Sequence, residues 1–129
     1  MGTIPSELGK LRKMRKLALS TNMLTGTIPS EIGNWVQMEV LHLFINHLEG
    51  TIPTEIGKFS GLRDLLFYNN NFIGSIPSEV FRCKELWRLV LMNNQLTGTI
   101  SSFIGQLDNL EERKCAVEDM LILRLLQYW

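Results

Sequence analysis

The sequence predicts an α/β solenoid, in which one short unit repeats along an axis and the strands of successive units stack into a parallel sheet. The first observation is a period of 24 residues, held over most of the chain in independent columns. The second is what fills these columns, because asparagine, glycine and isoleucine each recur with that period: Asn22, Asn46, Asn70 and Asn94; Gly2, Gly26, Gly50, Gly74 and Gly98; Ile4, Ile28, Ile52, Ile76 and Ile100. A pair of apolar residues separated by one position keeps the same period: Leu17 and Leu19, Leu41 and Leu43, Leu65 and Phe67, Leu89 and Leu91.

One complete unit reads M-R-K-L-A-L-S-T-N-M-L-T-G-T-I-P-S-E-I-G over residues 14–33. The pattern L-x-x-L-x-L-x-x-N-x-L with a period in the twenties indicates a leucine-rich repeat. The L-T-G-x-I-P segment resembles the plant-specific subclass, found in receptor-like kinase ectodomains and in polygalacturonase inhibitors. This resemblance covers residues 2–110 and implies a horseshoe, with a parallel β-sheet on the concave side and short 3-10 or helical turns and loops on the convex side.

The repeats predict one domain over residues 1–129. It comprises a half repeat, four full repeats, and a degenerate fifth repeat with a tail, at residues 2–10, 11–106 and 107–129. The fifth unit loses the pattern, because Arg113 and Cys115 occupy the paired apolar positions and Glu118 replaces the asparagine. We interpret the chain as a fragment of a longer receptor-like ectodomain, either a slice of it or a truncated product.

Each segment of the unit has a physical role. The two apolar residues of the L-x-L segment should point into the core and their neighbours outward, because side chains alternate along a strand. The asparagine amides should satisfy buried backbone groups. Glycine permits backbone angles or close approaches that a side chain would block. The P-S-E-I-G segment fits one short helical turn on the convex side.

Composition excludes several function classes. The formal net charge is zero, whereas nucleic-acid binding normally demands a basic surface. No apolar stretch reaches membrane-spanning length, and no secretory signal opens the chain. Localisation is therefore open: the resemblance implies the extracellular or plasma-membrane face, but the chain as written carries no export signal. The two cysteines, Cys83 and Cys115, lie in columns reserved for buried apolar residues, so we expect free buried thiols.

The sequence predicts neither catalysis nor a cofactor. His42 and His47 fall in outward positions of one repeat, with no neighbouring cluster of cysteines or carboxylates. No phosphate-binding glycine loop, nucleophile elbow or kinase motif is present. We expect no enzyme, no metal site and no bound cofactor.

The first candidate site is the concave face, which we define as the outward residues of the main sheet. From the second repeat onward this face should be apolar and aromatic with charges at its border, a composition typical of interaction sites. The predicted ligand-contacting residues are His42, Phe44, Leu66, Tyr68, Trp87, Arg88, Val90 and Met92. The alternative is that some of these residues only pack beneath the C-terminal tail.

The second candidate site is a column of hydroxyls, which we call the threonine ladder: Thr3, Thr27, Thr51, Ser75 and Thr99. One hydroxyl per repeat should give a spacing of about 4.8 Å, the separation of neighbouring strands. Regular ladders of this kind occur in ice-binding solenoids, so ice binding is an alternative function. The neighbouring column is irregular, however, and does not complete a flat array.

The C-terminal tail is too apolar to be an ordinary solvated segment. We expect residues 116–129 to fold back over the last repeat and cap its core with Met120, Leu121, Leu125 and Trp129. An exposed tail would instead favour self-association.

These observations predict a non-enzymatic module that recognises a protein or peptide on its concave face, in signalling or defence. Inhibition of a pathogen wall-degrading enzyme is a second reading within the same fold. That activity would need an acidic or polar groove, which Phe44, Leu66, Tyr68 and Val90 do not provide.

Overall fold

A computed structural model describes residues 1–99 and Ser102. The expectations for the fifth repeat and the tail, including the cap, therefore lie outside the described residues. Short strands, numbered β1–β9 in chain order, build two sheets along the described solenoid. The strands of the main sheet are β2 (Lys16–Ala18), β4 (Val40–His42), β6 (Asp64–Leu66) and β8 (Arg88–Val90). The remaining strands are β1 (Gly2–Thr3), β3 (Leu24–Thr25), β5 (Glu49–Thr51), β7 (Asn71–Gly74) and β9 (Gln95–Leu96).

The main sheet is parallel and has the order β2-β4-β6-β8. Residues that are 24 positions apart lie opposite one another, as Leu17, Leu41, Leu65 and Leu89 do. The sequence period is therefore the register of this sheet, and the predicted fold class is confirmed.

Each described repeat also forms one short 3-10 turn, as the P-S-E-I-G segment predicts. The turns are Ser6–Lys10, Ser30–Asn34, Thr54–Lys58 and Ser78–Arg82. Each follows a proline with an extended backbone, such as Pro29 with φ −71° and ψ 144°. Proline is suited to this place because its missing N–H belongs to a position that has no intrahelical acceptor.

The core lies between the main sheet and the 3-10 turns. The isoleucines of the repeat are buried there, together with the paired apolar residues of the second to fourth strands of the main sheet. The position that opens each repeat also reaches back to the preceding unit. The indole Nε1 of Trp35 donates to the carbonyl of Leu8 at 2.9 Å, and the Sγ of Cys83 lies 3.4 Å from the carbonyl of Ile56. Cys83 is buried and free as expected, and Cys115 lies outside the described residues.

The asparagine column hydrogen-bonds neighbouring repeats to each other. The amide nitrogen of Asn46 donates to Leu19 at 2.9 Å and to Leu43 at 3.0 Å, and its oxygen accepts from the N–H of Leu24. Asn70 and Asn94 repeat the same three contacts one and two units later. This confirms that the amides satisfy backbone groups in these three repeats.

The first repeat departs from this pattern. Asn22 is exposed and donates only to the carbonyls of Leu19 and Ser20 in its own loop. Leu17 and Leu19 are half-buried, and Leu11 is 51% exposed, whereas their counterparts in the next repeat are buried. The prediction of a buried asparagine is therefore wrong for Asn22, because no described unit packs on its other side.

The second sheet has a different register. Its strands pair as β1-β3 and as β5-β7-β9, with opposed residues 22 positions apart: Thr3 faces Thr25, and Thr51 faces Ile73. The strand is followed by a glycine with positive φ in each of the four full repeats, as at Gly50 with φ +77°. A Cβ at Gly50 would lie only 2.8 Å from the Cγ2 of Thr27. This glycine is thus required both for its backbone angle and for the threonine methyl of the preceding unit.

Candidate functional site: the concave face

The concave face presents almost all of the predicted contact residues to solvent. His42, Phe44, Tyr68, Arg88, Val90 and Met92 are half-buried, and Trp87 is 41% exposed. Leu66 is the exception, with an exposure of only 7%. It lies in register between His42 and Val90 on the neighbouring strands, which cover it from both sides. The expectation that Leu66 is available to a ligand is corrected: it supports the face from beneath.

Two aromatic rings form a stacked pair at the centre of the face. The ring centroids of Phe44 and Tyr68 are 4.6 Å apart, with an interplanar angle of 5°. Strand spacing brings equivalent residues of adjacent repeats to this distance, so the stack is a direct result of the parallel register. His42 adjoins it, with its ring centroid 6.0 Å from that of Phe44. We call the residues at the C-terminal ends of these strands the apolar row: His42, Phe44, Leu66, Tyr68, Val90 and Met92.

Charged side chains gather at the opposite, N-terminal ends of the strands, and we call them the charged row: Arg15, Lys16, Glu39, Arg63, Asp64 and Arg88. Asp64 is buried and accepts two hydrogen bonds from Arg88, from Nε to Oδ1 at 3.1 Å and from Nη2 to Oδ2 at 2.8 Å. The Arg88 guanidinium also lies 5.5 Å from the centre of the Trp87 ring. Bidentate pairing and the ring contact hold Arg88 in one orientation.

A second ion pair repeats this arrangement two strands earlier. Arg15 donates to Glu39 through Nε at 3.0 Å and through Nη2. The hydrogen bond from Arg15 lowers the pKa of Glu39, and the positive charges of Arg63 and Lys16 add to that effect. Lys16 and Arg63 are exposed, and no acidic residue within the described ranges pairs with either. The charged row thus contains two paired and two unpaired cations.

His42 connects the two rows. Its Nε2 is buried and lies 3.5 Å from the Oδ2 of Asp64, at the limit of a hydrogen bond. Burial lowers the pKa of His42, and the Asp64 carboxylate offsets part of this effect. A neutral imidazole at this position extends the apolar row and adds one polar atom to it.

Sequence reasoning placed Asp64 among border charges and did not foresee its burial. Both ion pairs join residues 24 positions apart, Arg15 with Glu39 and Asp64 with Arg88. Opposite charges in one column of the repeat were therefore the signal that could have identified both pairs.

The threonine ladder is exposed along the described solenoid. Its members are 24 residues apart, however, whereas the second sheet pairs residues 22 apart. Successive hydroxyls consequently do not lie opposite one another, and the expected strand spacing between them does not follow from this register. Within residues 1–99, moreover, Thr27, Ser75 and Thr99 fall outside the strands.

Other classes of site were sought in the described ranges. No group of three or more histidine, cysteine or acidic residues is placed there to hold a metal ion. No helix of the described chain combines the length and apolarity that crossing a membrane requires.

The parallel sheet, the 3-10 turns and the asparagine column define a leucine-rich-repeat solenoid. Residues 13–35 and 85–107 match the family model described as Leucine Rich Repeat. The chain therefore contains leucine-rich repeats, and its structural neighbours are ectodomains of plant receptor kinases. Among curated proteins, none matches the chain.

Three solved structures illustrate this similarity. The plant peptide hormone receptor RGFR1, in complex with RGF2, is 36% identical with a TM-score of 0.83, over 84% of this chain and 18% of that one. The Arabidopsis HAESA ectodomain, in complex with an N-terminally extended IDA peptide hormone ligand, is 37% identical with a TM-score of 0.75, over 78% and 17%. The ectodomain of the receptor kinase SOBIR1 from Arabidopsis thaliana is 32% identical with a TM-score of 0.79, over 84% and 60%. The chain thus spans only part of each of these proteins.

Proposed function

We propose that this chain is a non-enzymatic recognition module that binds a protein or peptide on its concave face, in receptor-type signalling or defence. The observation that carries the proposal is the stacked pair of Phe44 and Tyr68, centred on an accessible sheet and accompanied by the exposed Trp87. Aromatic residues and arginine are the side chains most often found at energetic centres of interfaces. Similarity to solved receptors that hold peptide hormones supports the same proposal.

The test compares two triple variants with the native chain. In the first, Phe44, Tyr68 and Trp87 are replaced by alanine. In the control, the exposed apolar residues Met23, Val36 and Ile73, which lie off the concave face, are replaced by alanine. Both variants should keep the native circular dichroism spectrum, because neither removes a buried core side chain.

Affinity capture from plant extracellular fluid, followed by mass spectrometry, provides the readout. The native and control chains should retain the same proteins or peptides, and the Phe44, Tyr68 and Trp87 variant should lose them. Identical partner sets for all three chains would show that the concave face is not the binding site.

We do not extend the proposal to the two alternatives. Enzyme inhibition would need an acidic or polar groove, whereas the centre of this face is aromatic and its charges favour cations. Ice binding would need a regular array of hydroxyls, which the register of the second sheet does not support. A thermal-hysteresis measurement would reveal ice binding directly, and we expect none.

A further inference from the structure

We infer that the ligand of the concave face is a short acidic peptide that carries aromatic or apolar side chains at alternate positions. This inference rests on the proposed function, because it specifies the chemistry of the peptide that the face would bind.

The charge distribution supports the acidic character. The charged row holds four cations, Arg15, Lys16, Arg63 and Arg88, and two anions, Glu39 and Asp64. Both anions are already paired with arginines. The remaining cations, Lys16 and Arg63, are exposed, and no described acidic residue pairs with them. A ligand with carboxylates is complementary to this row, whereas a basic ligand would be repelled.

The apolar row supports the aromatic or apolar character. The Phe44–Tyr68 stack, with Val90 and Met92 beyond it, carries no formal charge, and His42 is favoured in its neutral form because it is partly buried. A ring or aliphatic side chain laid on this row would remove more apolar surface from water.

The parallel arrangement of the rows determines the alternation. Both rows run across the strands, one at the strand N-termini and the other at the C-termini. An extended peptide that follows the rows points successive side chains to opposite sides. Acidic side chains at one set of alternate positions would then reach the charged row, and apolar side chains at the other set would reach the apolar row.

The size of the described sheet sets the length of the peptide. Four strands separated by about 4.8 Å span about 14 Å. An extended chain rises about 3.4 Å per residue, so this span accommodates about five residues. The peptide is therefore short enough to be tested with synthetic pentapeptides.

Isothermal titration calorimetry on the full chain tests the inference with peptides whose ends are acetylated and amidated. The probes are EFEFE, QFQFQ, KFKFK and EAEAE. We expect EFEFE to bind about tenfold more tightly than QFQFQ, with an affinity that falls as salt is added, and KFKFK to bind more weakly than either. EAEAE should bind more weakly than EFEFE, because it offers nothing to the apolar row.

Variants locate the effect on the protein. The double variant Lys16→Gln and Arg63→Gln should remove most of the difference between EFEFE and QFQFQ without weakening QFQFQ. The matched control is Lys58→Gln, which removes an exposed positive charge from a 3-10 turn on the other side of the solenoid and should change neither affinity.

The outcomes separate the inference from the function on which it rests. If all charge forms bind equally and Tyr68→Ala abolishes their binding, peptide recognition stands and the acidic preference is wrong. If the double variant weakens EFEFE and QFQFQ to the same extent, Lys16 and Arg63 do not read charge and the inference is again overturned. If no peptide binds at any composition, both the inference and the proposed function are overturned.

Discussion

The side-chain amide of Asn70 donates a 3.0 Å hydrogen bond to the carbonyl of Leu43, which lies 27 residues earlier in the chain. The same nitrogen donates to Phe67 in its own repeat, and its oxygen accepts from the N–H of Leu48 at 3.1 Å. One side chain therefore satisfies three backbone groups in two repeats. This geometry recurs with the sequence period, so the asparagine column joins each described repeat to the one before it.

Replacing Asn70 with alanine should therefore destabilise the fold. Asn70 is buried, and its loss strands backbone groups that cannot reach water, with an expected cost of about 1–3 kcal/mol for such a group. Urea unfolding followed by circular dichroism measures the change. Asn22→Ala is the internal control: it should cost less, because Asn22 is exposed and bonds only its own loop. Equal losses in the two variants would contradict the role of the inter-repeat bonds.

Replacing Ile45 with asparagine should stabilise the fold. Ile45 is 41% exposed and has φ 55°, a left-handed conformation that is unfavourable for a β-branched residue. Asn69 and Asn93 occupy the equivalent positions in the next two repeats, and their side chains are hydrogen-bonded at 2.6 Å. Relief of strain should raise the free energy of unfolding by about 1 kcal/mol.

The matched control for this change is Ile73→Asn. Ile73 is similarly exposed but lies in strand β7 and does not have positive φ. Asparagine is disfavoured in strands, so this control should be neutral or destabilising. A gain of similar size in both variants would attribute the effect to polarity rather than to backbone conformation.

Replacing Gly50 with alanine should be strongly unfavourable. The new Cβ would meet positive φ and the Cγ2 of Thr27 at 2.8 Å, for an expected total cost of about 2–3 kcal/mol. Introducing the same change in a Thr27→Ser background removes the methyl contact and should recover part of the loss. Gly2→Ala should cost little, because no described atom lies within 4 Å of the Cβ position at Gly2. Thermal melting of the four variants separates the steric part from the backbone part, and a loss unaffected by Thr27→Ser would exclude the steric part.

The Cys83 thiol should be unreactive in the folded protein. Burial raises its pKa to about 11 from an ordinary value of 9.0, so the nucleophilic thiolate is scarce at pH 8. In a Cys115→Ser variant, labelling with a thiol reagent at pH 8 should proceed only after urea is added. Because the fold favours the neutral thiol, its contribution to stability is present below pH 9 and is lost as the pH rises towards 11. Rapid labelling of the native chain would contradict the burial of Cys83.

The sequence and the structure agree most closely in the main sheet. The period of 24 residues predicted which leucines face the core and which side chains face outward, because one register applies to every repeat. The threonine ladder failed on the same reasoning, since the second sheet has a register of 22 and the sequence period does not carry over to it. A chain that turns at a glycine with positive φ can shift its register between two sheets without changing the length of the repeat.

By itself, the sequence determined the class of fold, the inward and outward positions of the main sheet and the aromatic character of its face. These properties are periodic, and each follows from local chemistry repeated at a fixed spacing. Only the tertiary structure decided that Leu66 is covered and Phe44 accessible, that Asp64 is buried against Arg88, and that Lys16 and Arg63 remain unpaired among the described residues. Those facts depend on which side chains meet across neighbouring strands, and contact across strands exists only once the repeats have stacked.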